Sequence, residues 1–249
     1  MKANKRLMQR ILFGALLILL SAFVYAIHYV IFRDAHHIFL YMVGDIAFVF
    51  IEVLLVTLII HQMLTEREKR SMLKKLNMVI GAFFSEVGTP LLKYFSGFDT
   101  NAERISRRLV VDAEWSPEHF TKMRAVLQNH SYKIDSQAGD LKGLQDFLVS
   151  RREFLLRLLE NPNLLEHDYF TELLWAVFHL AEELSHRSQV KDLPATDYEH
   201  LSGDLKRVYQ LLVREWLTYM EHLKNNYPYL FSLAVRTNPF DPSASAEVT

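Results

Sequence analysis

The sequence predicts an all-α protein: a two-span transmembrane helical hairpin followed by a long linking helix and a cytosolic helical bundle. Two long apolar runs lie near the start of the chain, between Ile11 and Ile60. Beyond them, helix-forming residue types dominate, and no alternation of apolar and polar residues persists long enough to indicate a sheet. With 8 glycines and 7 prolines in 249 residues, the chain has few positions that would interrupt a helix.

The same patterns divide the chain into five segments. We expect a basic cytosolic N-terminus at residues 1–10, the membrane hairpin at 11–61 and a linking helix with a heptad seam at 62–90. A cytosolic helical domain follows at residues 91–237. The last segment, residues 238–249, is rich in Pro, Ser and Ala, which predicts a flexible tail.

Each apolar run is long enough to cross a bilayer. A helix needs about 20 residues to span about 30 Å of hydrocarbon, and both Ile11–Phe32 and Ile38–Ile60 exceed that length. Only the short segment Arg33–His37 separates them, so we expect an antiparallel helical hairpin in contact with the lipid bilayer.

The basic residues predict the orientation of the hairpin. Lys and Arg residues precede the first run and follow the second, whereas the connecting loop contains one such residue, Arg33. The positive-inside rule therefore places both termini in the cytosol of a multi-pass protein of the cell membrane, the inner membrane if the protein is bacterial. A secretory signal peptide cleaved near Val24-Tyr25-Ala26 is the competing interpretation. The first run is too long for a typical signal core and continues past that point, which favours an uncleaved span.

Two carboxylates stand out within the second run. Asp45 and Glu52 lie two helical turns apart, on a strip shared with Tyr41; His37 lies near its outer end, and His28 of the first run at a depth near Asp45. A charge at the centre of a span costs about 2.5–3.5 kcal/mol on insertion scales. We therefore expect these groups to face protein or water rather than lipid. Glu52 would then be protonated, face water or meet a partner from another subunit.

The strip continues in phase through the linking segment as an apolar heptad seam. Its apolar members are Leu73, Leu76, Ile80, Phe83 and Val87. One helix from Ile38 to about Val87, ended by Gly88-Thr89-Pro90, would bring the carboxylates to a shared axis if it associated with copies of itself. The alternative is an ordinary amphipathic helix that packs on its own domain, because a straight helix drifts about 20° per heptad and the phase match can arise by chance.

The cytosolic region is predicted to contain further helices that form a bundle. Ser116, followed by Pro, predicts an N-cap. The next three helices are expected at Leu141–Glu160, Tyr169–His186 and Tyr198–Lys224. The aromatic and apolar stretch Tyr227–Phe240 is expected to dock on the bundle as a closing element, with a contact to a partner or a membrane surface as the alternative.

One helix of this region carries a pattern of metal-ligand type. His179, Glu183 and His186 fall at positions i, i+4 and i+7 on one face, and Glu-x-x-His is the spacing used by di-iron bundles. Such bundles need a second copy of that motif and two further Glu, and this chain has a single copy, so a solvated face is the simpler interpretation. The next helix offers further candidates: His200, Glu215 and His222.

Composition excludes several classes of site. The absence of cysteine excludes disulfides, zinc sites built on thiolates and cysteine nucleophiles. The net charge of -1 and the absence of a basic stripe with interleaved aromatics give no indication of nucleic-acid binding. No phosphate-binding loop, nucleophile elbow or His-Glu-x-x-His motif occurs. The sequence thus gives little support for an enzyme and names no cofactor.

Three functional hypotheses follow. The first is a membrane-anchored scaffold or sensor module that forms a homo-oligomer, with Asp45 and Glu52 as packing groups. The second is a cation channel or transport pathway lined by those carboxylates, since acidic rings favour cations. The third is a metal-binding enzyme tethered to the membrane.

Overall fold

In the computed structural model, residues 2–162, 164 and 167–247 are described, and this part of the chain is helical, with no strand. The side chains of residues 2–7, 10, 37, 69–71, 73 and 74 lie outside the description. The α-helices are α1 (Lys2–Phe32), α2 (Ala35–Phe83), α3 (Thr89–Phe98), α4 (Ala102–Ser106), α5 (Pro117–Gln128), α6 (Leu141–Leu159), α7 (Asp168–Ser185), α8 (Ala195–Asn226) and α9 (Pro228–Arg236). The all-α prediction is confirmed.

The chain divides into two compact units, Met1–Lys69 and Arg70–Thr249. The first unit contains α1 and the first part of α2. Two of its stretches, Ile11–Phe32 and Ile38–Glu68, are long and apolar enough to cross a membrane, and neither is buried. Large apolar side chains remain exposed along both, such as Ile18 at 72% and Phe50 at 75%.

The second unit, which we call the helical domain, is a bundle organised around α8. This helix contacts α3, α5, α7 and α9, and α7 in turn packs on α6. The buried positions of α8, from Leu201 to Leu223, recur at helical spacing on several faces, as expected for a central helix. Tyr209 of α8 is fully buried and lies against Phe95 and Tyr132, with ring centroids 5.7 and 5.2 Å away.

Helix ends in the domain follow the chemistry that predicted them. Pro117 begins α5 with Ser116 as N-cap, and the Ser116 backbone N–H donates to Nδ1 of His119 at 3.3 Å. Asp140 caps α6 by accepting a hydrogen bond from the Gly143 N–H at 2.9 Å. The helices predicted from Leu141, Tyr169 and Tyr198 are present, with ends shifted by a few residues.

The heptad seam packs inside the helical domain. Leu76, Ile80, Phe83 and Val87 are at most 6% exposed and belong to the domain's own core; the side chain of Leu73 lies outside the described residues. Phe83 makes edge contacts with Phe84 and Phe170, each at 5.3 Å between centroids. The alternative of an amphipathic helix that packs on its own domain therefore describes this segment.

The predicted helix end at Gly88-Thr89-Pro90 is wrong. The α-helix ends at Phe83, a π-helical turn covers Phe84–Gly88, and α3 begins at Thr89. Proline is tolerated in a first helical turn, where its missing N–H has no partner to lose. At Gly88 a Cβ atom would lie 2.5 Å from the Phe84 ring, so the glycine serves close packing rather than chain reversal.

The packed part of the domain extends into the predicted flexible tail. Asn238 and Phe240 are 1% and 4% exposed. The Asn238 amide donates to the carbonyl of Leu109 at 3.0 Å and accepts from the Phe240 N–H at 2.9 Å. The Phe240 ring lies edge-on to Trp216 at 5.0 Å. These contacts join the chain after α9 to α8, so the stretch Tyr227–Phe240 docks on the bundle as predicted.

Candidate functional site

A cavity of about 670 Å³ lies between the end of α2, the π-helical turn, α8 and α9. Small-molecule sites commonly enclose 300–1,000 Å³. α2 contributes Met78, Gly81 and Ala82 to its wall, and α9 contributes Leu230 and Leu233. We refer to this space as the α8–α9 cavity.

Aromatic rings form the α8 side of this cavity. Phe84 of the π-helical turn stacks on Tyr219, with centroids 4.9 Å apart and planes at 10°. Trp216 lies beside them. π-Helical turns are frequent at functional sites, and this one places Phe84 and Ser85 in the cavity wall. None of the described residues that line the cavity is charged, so the cavity suits an uncharged ligand.

His222 supplies the distinctive polar group of the α8–α9 cavity. The Asn226 amide nitrogen donates to the His222 carbonyl at 3.0 Å and lies 3.2 Å from Nδ1 of the ring. Because that nitrogen is a donor, Nδ1 accepts, and the ring proton sits on Nε2. Burial lowers the pKa of His222, which favours this neutral form. Nε2 is buried and has no hydrogen-bond partner among the described residues.

α9 is held over the cavity by local contacts. Phe231 is buried, and the Lys224 ammonium group lies 5.6 Å from the centroid of its ring. Lys224 also donates to the carbonyl of Ala113 at 2.6 Å. Tyr229 of α9 does not line the cavity and is 71% exposed. The helix thus closes one side of the cavity while the cavity stays open to solvent.

The predicted intramembrane residues lie on helices that the structure leaves exposed. Asp45, Glu52 and Tyr41 are exposed, and His28 is half-buried with its ring 4.7 Å from that of Phe32. The side chain of His37 lies outside the described residues. Asp45 and Glu52 form no ion pair with a described residue, and their roles stay predictions.

The metal-type pattern on α7 is split by the fold. His186 lies at the end of α7, where Nδ1 is 2.8 Å from the carbonyl of Glu182. His179 and Glu183 instead face α8: His179 Nε2 lies 3.6 Å from Asp204 Oδ2, and Glu183 Oε2 lies 3.7 Å from His200 Nε2. The three predicted ligands are therefore not brought together.

Asp204 is the centre of this α7–α8 cluster, and sequence analysis did not single it out. It is 5% exposed, with Oδ2 3.3 Å from His200 Nε2 and Oδ1 3.4 Å from the Arg207 guanidinium. Arg187 binds Glu183 at 2.8 Å and Asp197 at 2.7 Å, and these hydrogen bonds lower the pKa values of both carboxyls. Among the described residues, no group of three or more His, Asp or Glu side chains is arranged to hold a metal ion. Glu215 and His222 lie elsewhere on α8.

Comparison with known proteins gives a family that covers both units. A family model described as "MJ1433, N-terminal helical domain" matches residues 4–64, and one described as "Uncharacterized protein MJ1433, C-terminal helical domain" matches residues 72–236. The interval between the two matches contains the boundary between the compact units. No solved structure matches the chain.

A curated relative extends over nearly the whole sequence. Uncharacterized protein MJ1433 of Methanocaldococcus jannaschii is 49% identical over 225 residues, which cover 90% of this chain and 90% of the relative. Identity at that level and coverage, together with the two family models, shows common descent of both units. The chain belongs to the MJ1433 family.

Proposed function

We propose that this chain is a membrane-anchored sensor module whose cytosolic helical domain binds an uncharged amphiphile in the α8–α9 cavity. The observation that carries the anchor is that neither of the two long apolar stretches is buried, whereas the helical domain has a core of its own. Each large apolar side chain left in water forgoes about 1.5–3 kcal/mol of burial. Lipid covers Ile11–Phe32 and Ile38–Ile60 in this proposal, with both termini in the cytosol.

The chemistry of the α8–α9 cavity supports the ligand class. A mainly apolar and aromatic wall, with neutral polar residues such as Asn77, Ser85 and Thr89 and without charged ones, suits a hydrocarbon or ring system with a polar group. His222 lines the cavity, and in this proposal a hydroxyl or carbonyl oxygen of the ligand accepts a hydrogen bond from its Nε2–H. That bond satisfies a donor which otherwise stays buried and unpaired.

Trp216 in the cavity wall provides the readout for this proposal. The full chain is placed in phosphatidylcholine nanodiscs with Trp115 and Trp175 replaced by Phe, so that the emission comes from Trp216. Titration with dodecanol is expected to shift the emission and to saturate. Ala82→Trp, at an exposed position of the wall, should obstruct the cavity and weaken binding of the probe. The emission of this variant without dodecanol serves as its baseline.

His222→Leu tests the polar contact. It should weaken dodecanol binding roughly tenfold, because the variant lacks the Nε2–H donor for the ligand hydroxyl. His130→Leu is the matched control, because burial also lowers the pKa of His130 and its Nε2 is also buried and unpaired, but it lies outside this cavity. Equal affinity for dodecanol in the wild type, Ala82→Trp and His222→Leu would refute the ligand site.

The hairpin is also proposed to hold copies of the chain together. In this proposal, Asp45 and Glu52 pack against helices of other subunits, which removes them from lipid. The subunit number of the full chain in nanodiscs, measured by light scattering, should exceed one. Glu52→Gln should lower that number if the carboxylate packs between subunits. An unchanged oligomer that loses cation flux would favour the transport hypothesis instead.

A further inference from the structure

A second cavity in the helical domain has the opposite chemistry. It encloses about 590 Å³ between α4 and the end of α5, together with the segment that follows α5. Arg104, Arg108 and Lys133 line it, and no carboxylate does. Asn101 and Ser131 add polar groups to the wall. We call this space the basic cavity.

The two arginines of the basic cavity differ from the other described arginines of the helical domain. Seven of those others pair with a carboxylate: Arg107, Arg124, Arg151, Arg152, Arg157, Arg187 and Arg207. Arg214 lies 3.8 Å from the centroid of the Tyr169 ring, and Arg236 donates to the carbonyl of Ala246. Arg104 and Arg108 form no ion pair, ring contact or hydrogen bond through their guanidinium groups with a described residue.

Their spacing places two like charges close together. Arg104 lies on α4 and Arg108 two residues beyond its end. Like charges this close repel each other, and because both side chains are exposed, water screens much of that repulsion. The protein as a whole has a net charge of -1, so three unpaired cations around one cavity are not a consequence of bulk composition. An anion between the cations would relieve the repulsion.

The surroundings of the basic cavity leave this positive field in place. The Ala125, Val126 and Leu127 carbonyls at the end of α5 accept hydrogen bonds from Asn129 and His130, which offsets part of the negative charge at that helix end. Asp99 is buried, and its Oδ1 accepts the Asn101 N–H at 2.9 Å and the Lys133 N–H at 3.4 Å. Among the residues that line the cavity, Arg104, Arg108 and Lys133 are thus cationic and none is a carboxylate.

From these observations we infer that the basic cavity binds the phosphate group of an organic phosphate. Two guanidinium forks suit the tetrahedral oxygens of phosphate, and an ammonium group adds a point charge. The cavity is larger than a phosphate ion needs, and Ile105, Ala125 and Val126 supply apolar wall for the rest of the ligand. A soluble phosphate ester and a phospholipid headgroup share this chemistry. The inference uses residues of the helical domain alone and does not depend on the α8–α9 cavity.

Arg107 makes a matched control possible, because it lies between the two cavity arginines, pairs with Glu103 at 2.8 Å and does not line the cavity. Each arginine is replaced by Gln in the full chain, in nanodiscs of phosphatidylcholine. Melting temperature is followed with inorganic phosphate against sodium chloride of the same ionic strength. Phosphate should stabilise the wild type and Arg107→Gln, and its affinity should fall roughly ten- to hundredfold in Arg104→Gln and Arg108→Gln.

The same variants carry a second signature without ligand. Arg104→Gln and Arg108→Gln should raise the melting temperature, because each removes a like-charge repulsion, whereas Arg107→Gln should lower it or leave it unchanged. Short-chain phosphatidic acid then distinguishes the two sources, with short-chain phosphatidylcholine as reference. At least tenfold tighter binding than inorganic phosphate would identify a lipid headgroup; equal or weaker binding would identify a soluble phosphate ester.

Two results would overturn the inference. One is the absence of any effect of phosphate and phosphatidic acid beyond that of salt. The other is an equal loss of affinity in all three variants, which would show a response to net charge instead of a site. The dodecanol titration of the α8–α9 cavity uses different residues, so failure of either proposal is recognised separately.

Discussion

The two units of this chain differ in the exposure of their large apolar side chains. In Ile11–Phe32 and Ile38–Glu68 the large apolar residues stay exposed, whereas in the helical domain they form one core around α8. Polar residues recur along each core helix and confine its apolar residues to one face or a few. The first unit lacks that pattern, so its helices have no single face to bury. The first unit therefore leaves its apolar side chains uncovered, which is why we propose a lipid environment for it, whereas the second buries its own.

The largest effect is expected from substitutions that place charges within the two apolar stretches of the first unit. Replacing Leu20 and Val49, near the centres of the two stretches, by Arg should cost about 2.5–3.5 kcal/mol of insertion free energy for each charge. We expect the double variant to leave the membrane fraction of cell lysates, as measured by sedimentation and immunoblotting. Val149→Arg, at an exposed apolar position of the helical domain, should not change the fractionation. Retention of the double variant would contradict the role of these stretches as spans.

The next largest effect is expected on the free energy of unfolding, from a substitution in the heptad seam, which lies in the core of the helical domain. Phe83→Ala should lower the free energy of unfolding by about 3–5 kcal/mol, because the ring is fully buried between Phe84 and Phe170. Urea denaturation measures this change. Met78→Ala in the same helix, at a position that is 65% exposed, should change it by less than about 0.5 kcal/mol. A Phe83→Ala variant that kept its stability but lost subunits would place the seam between chains instead.

A smaller effect is expected at the α7–α8 cluster. Asp204→Asn should cost about 1 kcal/mol, since a buried carboxylate is lost while its partners His179 and His200 are about half exposed, at 48% and 52%, and can turn to water. Asp146→Asn, in an exposed pair with Lys142, should cost almost nothing. Chemical denaturation compares the two variants. A loss of several kcal/mol in Asp204→Asn would mean that the cluster is closed to water.

The smallest expected effect is a pH dependence at Glu215. Burial raises the pKa of this carboxyl above its usual value of 4.5. The folded state therefore keeps the proton to a higher pH than the unfolded state does. The protonated Glu215 carboxyl therefore contributes to folding stability. This contribution is complete at low pH and is lost as the pH rises from 4.5 through the folded-state pKa. Glu215→Gln should remove this slope in urea midpoints measured between about pH 4 and 7. Glu153 is exposed, so Glu153→Gln should keep the pH dependence of the urea midpoint. An unchanged pH dependence in Glu215→Gln would contradict its assignment to Glu215.

The sequence was sufficient for the helices because their signals are local. Apolar spacing and the Ser116 cap act within a few residues, and the structure has helices at Pro117–Gln128, Leu141–Leu159, Asp168–Ser185 and Ala195–Asn226, close to where they predict them. The heptad seam shows the limit of such signals. Its 3-4 spacing describes any buried helix face, so it could not tell a contact between chains from packing on the domain, which is what the structure shows.

The two cavities could not be predicted, since both depend on which helices become neighbours. Arg104 and Arg108 have a visible i, i+4 spacing, but only the fold shows that no described carboxylate reaches them. The case of His179 and Glu183 is similar: their shared face was predicted correctly, but their neighbours His200 and Asp204 come from α8. The sequence pattern offers His222 only as a candidate metal ligand, whereas the fold places it in the wall of the α8–α9 cavity with Nδ1 3.2 Å from the Asn226 amide nitrogen.

The most direct test of the account is extraction of the full chain from membranes, because the membrane anchor is its central claim. Cell membranes are washed with alkaline carbonate and then treated with protease from the cytosolic side. The account predicts that the protein resists the wash and that proteolysis leaves a membrane-bound fragment ending near Lys69, the boundary of the first unit. Release of the intact chain into the wash would show that the two apolar stretches are covered by protein rather than by lipid.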